Sequence, residues 1–262
     1  MGSKSDAARL KAQQLKAEQQ RKEKRTRMMI YSVVGALVLA TVLAVAWVLL
    51  RPTSQEPTAS PSAADSPVSF VVSADGVGKV KDGSVLVREF FDYSCHACAD
   101  VDVILGEKLT EGIDAGRISV EFIPVDVVNM EWHPVAAQAA SVVYDQDPQH
   151  FLQFHHALMQ YFSDQFRQQN PDVIKNTEAS VQQVKTLAEG VGVPGEVVAK
   201  LGADIPPAFL LTNTEYWKNL AASGREGLAT PEFVVNDTSI RIRQEDVADP
   251  VSRFEEVAKT GK

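Results

Sequence analysis

The amino-acid sequence predicts an α/β fold that carries a large all-helical insertion and is preceded by one N-terminal transmembrane helix. A β-prone apolar stretch over residues 84–91 leads into a Cys-x-x-Cys motif, after which apolar residues recur at helical spacing. From Met130 to about Arg225 the periodicity is helical, with β-prone segments on either side. Nearer the N-terminus, residues 28–50 contain no charged side chain. These patterns divide the chain into an anchor, a linker and one globular domain.

The uncharged stretch 28–50 is typical of a membrane-spanning helix. About 20 apolar residues, each rising 1.5 Å, cross a bilayer core, whereas a cleaved signal peptide has an apolar region of about 7 to 15 residues. A cluster of Lys and Arg precedes this stretch closely, so the positive-inside rule predicts a basic cytoplasmic tail over residues 1–27. Residues 51–68, rich in Pro, Ser and Thr, are predicted to be an extended linker. The domain over residues 69–262 is then expected outside the cell membrane.

The charge of the chain is unevenly distributed. The net charge is −8, but residues 1–50 hold nine Lys and Arg against three Asp and Glu, a charge of +6, which leaves −14 for the remainder. An acidic body argues against nucleic acid as a partner.

The elements of the domain follow from the spacing of apolar residues. Short apolar or alternating segments predict strands at Ser69–Ser73, Ser84–Phe91, Ile118–Pro124, Thr230–Val235 and Ser239–Ile242. Helical spacing predicts helices over 97–115, 133–144, 151–162, 181–188, 197–201, 208–222 and 249–259, the last with Asp249 as N-cap and Pro250 at N1. The first helix lies between two strands, so a parallel βαβ unit is expected. The aromatic residues expected to pack in the core are Trp132, Phe151, Phe154, Phe162 and Trp217.

Cys95 and Cys98 are the only cysteines of the chain. Unpaired N–H groups and the dipole at a helix N-terminus stabilise a thiolate, so Cys95, at or near the N-cap, is expected to be exposed and reactive and Cys98 more buried. A zinc site would need a second ligand pair at matching spacing, which the sequence lacks. A purely structural disulfide would close too small a loop to stabilise the fold much. Redox catalysis without metal or organic cofactor is therefore the favoured interpretation.

Four segments resemble a known family: residues 89–98 (EFFDYSCHAC), 132–137 (WHPVAA), 151–158 (FLQFHHAL) and 229–236 (ATPEFVVN). Their order resembles the DsbA-like branch of the thioredoxin superfamily, of the membrane-anchored bacterial type, over about residues 69–262. A lone Cys-x-x-Cys is a weak signal, but Thr-Pro-x-Phe-Val-Val about 130 residues later makes the combination a strong one. The resemblance implies a thioredoxin-like fold and thiol:disulfide oxidoreductase activity.

The resemblance also implies roles for single residues. Cys95 would be the attacking thiol and Cys98 its buried partner. Pro231 would be a cis-proline facing them, with Thr230 offering backbone hydrogen bonds to a bound peptide. Glu89 resembles a buried acid beneath the cysteines, whose raised pKa would let it relay a proton to or from Cys98. The alternative for Glu89 is a carboxylate that is paired to a lysine or exposed at the sheet edge.

Two positions depart from the best-known strong oxidant of the family. That oxidant has Pro-His between its cysteines, where this chain has His96-Ala97. His96 either stabilises the Cys95 thiolate or points to solvent. Thr230, before the expected cis-proline, resembles the isomerase and reductase branch as much as the oxidase branch. The direction of electron flow is therefore open at this point.

The predicted function is the introduction of disulfides into reduced, unfolded secreted or envelope proteins by thiol–disulfide exchange. A membrane oxidase would re-oxidise the dithiol, and the protein would be a monomer. One alternative is a reductase or isomerase fed with electrons across the membrane, although the separate dimerisation domain usual in isomerases is not visible. Another is a non-catalytic peptide-binding module with a stable disulfide.

Overall fold

The computed structural model describes residues 66–261. The predicted cytoplasmic tail, the predicted transmembrane helix and most of the predicted linker lie outside this range. Among the described residues, none of the helices combines the length and apolar character needed to cross a bilayer. The described residues form a mixed β-sheet with helices on both faces, which confirms the α/β class.

The sheet places two parallel strands at its centre. Its strands, in spatial order β2-β1-β4-β3-β5-β6, are β1 (Phe70–Ser73), β2 (Gly76–Val77), β3 (Val85–Phe91), β4 (Ile118–Pro124), β5 (Glu232–Val235) and β6 (Thr238–Ile240). β3 pairs with β4 in parallel, as the βαβ pattern predicts, and the other neighbours are antiparallel. β3 and β4 are covered on both faces, which accounts for their nearly continuous apolar sequence.

The helices divide into one after β3, a group between β4 and β5, and one at the C-terminus. They are α1 (His96–Asp114), α2 (Trp132–Gln146), α3 (Phe151–Arg167), α4 (Thr177–Gly190), α5 (Gly195–Val198), α6 (Phe209–Asn219) and α7 (Pro250–Thr260), with 3-10 turns at Pro148–His150 and Gln244–Ala248. The group α2–α6 is the predicted helical insertion. Asp249 caps α7 as predicted, since its carboxylate accepts a hydrogen bond from the N–H of Ser252 at 3.1 Å.

Alternation along β3 separates two apolar cores. Val87 and Phe91 face the main core, which continues into the insertion. Phe90 faces the smaller one, where it meets Trp217 of α6. All five aromatic residues predicted to pack are buried. Because Glu89 shares its strand face with Val87 and Phe91, its carboxylate faces the main core.

The C-terminal end of α6 differs from the sequence prediction, which continued the helix to residue 222. The helix stops at Asn219 because Leu220 is extended, with φ −63° and ψ 121°. The guanidinium of Arg225 donates hydrogen bonds to the carbonyls of Trp217 and Leu220 at 3.1 and 2.7 Å. A cation at the last carbonyls of a helix satisfies groups that have no partner within the helix.

Candidate active site

The two cysteines lie in the first turn of α1. Cys95 is the N-cap residue, and the backbone N–H of Cys98 donates to its Sγ at 3.4 Å. Cys98 is fully buried, while Cys95 is 8% exposed. The sequence predicts an exposed sulfur at Cys95; in the structure it is largely covered, although it is the more accessible of the two. The covering groups come from a distant part of the chain.

Thr230 and Pro231 face Cys95. The Thr230–Pro231 peptide bond is cis, as the resemblance implies, and the Cys95 Sγ lies 3.5 Å from the carbonyl oxygen of Thr230. The register of the sheet explains this proximity: β5 is antiparallel to β3, and Glu232 pairs with Phe90. The residues just before β5 therefore lie beside the end of β3, where the cysteine loop begins.

The two sulfurs have opposite pKa shifts. The pKa of Cys95 falls from 9.0 to about 6, chiefly because the Cys98 side chain donates a hydrogen bond to it, with further help from the Thr230 side chain and from the N–H groups of Cys98 and Ala97, against a smaller opposing effect of burial. Burial raises the pKa of Cys98 well above its usual range, and the neighbouring Cys95 adds to this. Cys95 is thus the thiolate near neutral pH and Cys98 the protonated thiol.

Glu89 is a buried acid on the core face of β3. It is 4% exposed and forms no ion pair with any residue in the range 66–261. Burial, with a smaller effect of the charge on Asp102, raises its pKa from 4.5 to about 8. Of the two alternatives for this residue, the structure supports the buried acid in an apolar setting.

His96 is the first residue of α1. Its ring is exposed and stacks on Phe166 of α3, with centroids 5.0 Å apart and planes inclined by 11°. Within the described chain, no hydrogen bond joins His96 to Cys95, and the thiolate is stabilised by other groups. Of the two alternatives for His96, the structure supports the one in which the imidazole lies toward solvent.

Asp92, which the sequence analysis assigned no role, holds the loop before Cys95. Its fully buried carboxylate accepts hydrogen bonds from the N–H of Ser94 at 2.7 Å and from the N–H groups of Val127 and Val128 at 2.8 Å each. The bonds from Val127 and Val128 tie the cysteine loop to the loop after β4, while the bond from Ser94 closes a turn within the cysteine loop. The available signal was an acid at the end of an apolar strand, which does not distinguish a buried anchor from a surface turn.

Tyr93 connects the same loop to two helices of the insertion. Its N–H donates to Nδ1 of His133 at 3.0 Å, and its hydroxyl lies 2.9 Å from Nδ1 of His155. Burial, aided by the charges of Asp102 and Glu89, raises the pKa of the Tyr93 hydroxyl well above its usual range. The hydroxyl therefore stays protonated, and the loop is fixed from both sides.

The segment leading to Thr230 is held by a buried ion pair. Arg225 donates to both carboxylate oxygens of Glu232, at 2.9 and 2.7 Å, and the indole N–H of Trp217 donates to the same carboxylate at 2.6 Å. Paired donors to one carboxylate fix geometry as well as charge. The start of β5, and with it the carbonyl that faces Cys95, is thereby anchored to α6.

The strand, the helix with the Cys-x-x-Cys pair, the helical insertion and the cis-proline before β5 together define a thioredoxin-like fold of the DsbA-like type. Residues 77–200 match the family model described as Thioredoxin. That match includes both cysteines and much of the helical insertion and ends before Thr230.

Three solved structures have a similar fold. MdbA, a thiol-disulfide oxidoreductase from Actinomyces oris, is 24% identical with a TM-score of 0.57, covering 73% of this chain and 88% of MdbA. BdbD from Bacillus subtilis is 21% identical with a TM-score of 0.53, covering 75% and 96%. DsbA from Chlamydia trachomatis is 18% identical with a TM-score of 0.51, covering 79% and 98%. The comparison with curated proteins found no match. At these identities the likeness shows the fold.

Proposed function

We propose that the protein is a thiol–disulfide oxidoreductase that acts as an oxidase, introducing disulfides into reduced, unfolded proteins outside the cytoplasm. The observation that carries the proposal is the opposite pKa shift of the two sulfurs, with Cys95 at about 6 and Cys98 raised. A thiol with a low pKa is a good leaving group, and its stabilised thiolate favours the reduced enzyme over the disulfide.

The exchange would proceed in two displacements. A substrate thiolate attacks Sγ of Cys95 in the oxidised enzyme, the Cys95–Cys98 bond breaks, and Cys98 leaves with the electron pair and takes up a proton. A second substrate thiolate then attacks the substrate sulfur of the mixed disulfide, and Cys95 leaves as a thiolate. Two electrons pass from the substrate to the enzyme, which ends as the dithiol.

Three other residues would support these steps. Glu89, with its pKa of about 8, holds a proton at neutral pH that it can deliver toward Cys98. Thr230 and Pro231 would receive the extended backbone of the substrate next to Cys95, because Thr230 already places its carbonyl 3.5 Å from the sulfur. A peptide held there would present its cysteine in line with the disulfide.

The shift of Cys95 can be expressed as a change in reduction potential. With a pKa of about 6 in place of 9.0, Cys95 is about nine-tenths thiolate at pH 7, which stabilises the reduced enzyme by about 1.4 kcal/mol. For a two-electron couple this corresponds to about 30 mV toward a more oxidising potential. The sign favours disulfide donation over reduction.

The place of the enzyme in the cell is part of the proposal. The uncharged stretch 28–50 and the basic residues before it support a single-pass anchor with a cytoplasmic N-terminus. The domain would then lie in an oxidising compartment, where a membrane oxidase could re-oxidise it. The proposed enzyme acts as a monomer on reduced secreted or envelope proteins.

The reduction potential tests the direction of electron flow. The full-length chain is equilibrated in glutathione buffers of graded potential, and the fraction of Cys95–Cys98 disulfide is measured by alkylation. A potential near about −120 mV supports the oxidase, and a value near about −270 mV would identify a reductant that receives electrons from a partner.

Trapping identifies the substrates. The Cys98→Ser variant cannot resolve a mixed disulfide, so it should accumulate adducts with secreted proteins through Cys95. The Cys95→Ser variant is the matched control and should accumulate none. If Cys98→Ser captures no protein while Cys95 still reacts with alkylating reagents, the protein is not an oxidase of secreted chains.

A further inference from the structure

A cluster of one acid and two histidines lies between α1 and α3. Asp102 on α1 places its Oδ1 2.8 Å from Nδ1 of His156 and 3.6 Å from Nε2 of His155, both on α3. One ligand atom from each of the three residues lies within 4.8 Å of the other two. Adjacent histidines have no zinc-motif spacing, so the sequence gives no hint of this arrangement.

The hydrogen bonds around His156 bear on which of its two ring nitrogens carries the hydrogen. The hydroxyl of Thr110 donates its hydrogen to the carbonyl of Gly106 at 2.8 Å. While its hydrogen is on that bond, the hydroxyl oxygen can only accept from Nε2 of His156, which lies 3.3 Å away. In that arrangement a neutral His156 ring has no hydrogen on Nδ1, and Nδ1 meets the Asp102 carboxylate at 2.8 Å. Two acceptors this close require a cation between them or a second proton on the ring.

His155, inside the core, also directs a ring nitrogen toward Asp102. Its ring is fully buried and its Nδ1 is bonded to the Tyr93 hydroxyl at 2.9 Å. Its Nε2 has no hydrogen-bond partner in the described chain and faces Asp102. Histidines that bind metals are usually held in this way, with the outer nitrogen bonded to a second group and the inner nitrogen free.

The surroundings leave access to the cluster. Gly106 faces the ring of His156, and a Cβ there would lie 3.0 Å from Cε1 of His156. The side chain of His156 is 30% exposed, whereas those of Asp102 and His155 are 8% and 1% exposed. The cluster therefore has two buried ligands and one at the surface, through which an ion and a water molecule can enter.

We propose that Asp102, His155 and His156 form a binding site for a divalent transition metal ion of the zinc type. The ligand atoms are Oδ1, Nε2 and Nδ1, and water supplies the fourth position. Bonds of about 2.0 to 2.1 Å in a tetrahedron place ligand atoms about 3.4 Å apart, and the two distances to Oδ1, 2.8 and 3.6 Å, lie on either side of this value. Two nitrogens and one carboxylate oxygen suit Zn²⁺. The ion would join the helix that carries the cysteines to the insertion.

A second cluster, of two acids and one histidine, does not qualify as a metal site. Asp92, Asp126 and His133 also come within ligand distance of one another. However, both oxygens of Asp92 already accept backbone N–H groups, and Nδ1 of His133 accepts from the N–H of Tyr93.

The test uses Co²⁺ as a spectroscopic substitute for Zn²⁺. Because reduced thiols bind both metals, the full-length chain carries Cys95→Ser and Cys98→Ser. It should bind one Co²⁺ with the visible absorption of a tetrahedral site, which Zn²⁺ abolishes. Adding His156→Ala should weaken binding by about tenfold or more. His150→Ala is the matched control and should leave binding unchanged, because His150 contacts a single acid, Asp147, at 2.6 Å.

Thermal unfolding with and without Zn²⁺ separates a metal site from a simple ion pair. Zn²⁺ should raise the Tm of the cysteine-free chain and of its His150→Ala form, but not that of its His156→Ala form. If His156 is only an imidazolium paired with Asp102, His156→Ala will lower the Tm equally in both conditions. That result, or Co²⁺ binding that His156→Ala leaves unchanged, would overturn the proposal.

Discussion

The pKa of Cys95 should depend on the hydrogen bond that it receives from the side chain of Cys98. This bond is the largest cause of the fall from 9.0 to about 6. A hydrogen bond to a charged group contributes about 1.5 to 3 kcal/mol, which equals about one to two pKa units. Cys98→Ala removes the donor, so we expect Cys95 to titrate at about 7 to 8. Cys98→Ser keeps an O–H donor in the same place and should stay near the wild-type value.

The two variants leave Cys95 as the only thiol, so the assay is direct. The rate of alkylation by iodoacetamide is measured against pH, and the ultraviolet absorbance of the thiolate provides a second titration of the same group. Both variants retain the backbone N–H of Cys98 and the carbonyl of Thr230, so the difference between them isolates the side-chain donor. Identical titrations of Cys98→Ala and Cys98→Ser would refute this account of the low pKa.

Three further predictions, tested by urea unfolding, concern the rest of the structure. Folding raises the pKa of Glu89 from 4.5 to about 8. Between these two pH values the folded chain binds a proton that the unfolded chain does not, so the stability of the fold decreases as the pH rises. Between pH 4.5 and about 8, the free energy of unfolding of the wild type should therefore fall by roughly 3 to 5 kcal/mol relative to that of Glu89→Gln. A difference between the two proteins that stays constant with pH would contradict the pKa shift. Asp92→Ala leaves three backbone N–H groups without their acceptor and should cost roughly 2 to 5 kcal/mol, whereas an unchanged midpoint would mean that water replaces the carboxylate. Gly112→Ala places a Cβ 2.6 Å from Cγ2 of Val251 and should cost roughly 1 to 3 kcal/mol. Gly190→Ala, with no atom within 4 Å, should be neutral or slightly stabilising, and equal midpoints for the two glycine variants would contradict close packing of α7 on α1.

Local patterns predicted the elements that position the cysteines. Apart from Arg88 and Glu89, β3 is apolar, because β4 and β5 flank it and both of its faces are covered. α1 begins where the sequence places Cys95, because a residue at the N-cap with a free side-chain acceptor can satisfy the first N–H groups of a helix. Pattern and structure agree here because each element is specified by residues close together in the chain.

The surroundings of each site residue could be learned only from the structure. Whether Glu89 is buried depends on what covers β3, and a single strand does not carry that information. His96 could have faced the sulfur or the solvent, and the decisive partner, Phe166, lies on another helix. The carboxylate of Asp92 is bonded to residues that follow β4. Such contacts are set by tertiary packing and leave no periodic signal in the sequence.

The sulfur of Cys95 and the carbonyl that faces it are separated by 135 residues along the chain. A growing polypeptide therefore contains both thiols long before it contains the group that completes their surroundings. Until β5 is added beside β3, the central strand lacks one neighbour and Cys95 lacks part of what lowers its pKa. The contribution of Thr230 to the low pKa of Cys95 is therefore added last, whereas the larger contribution of Cys98 is local to the first turn of α1.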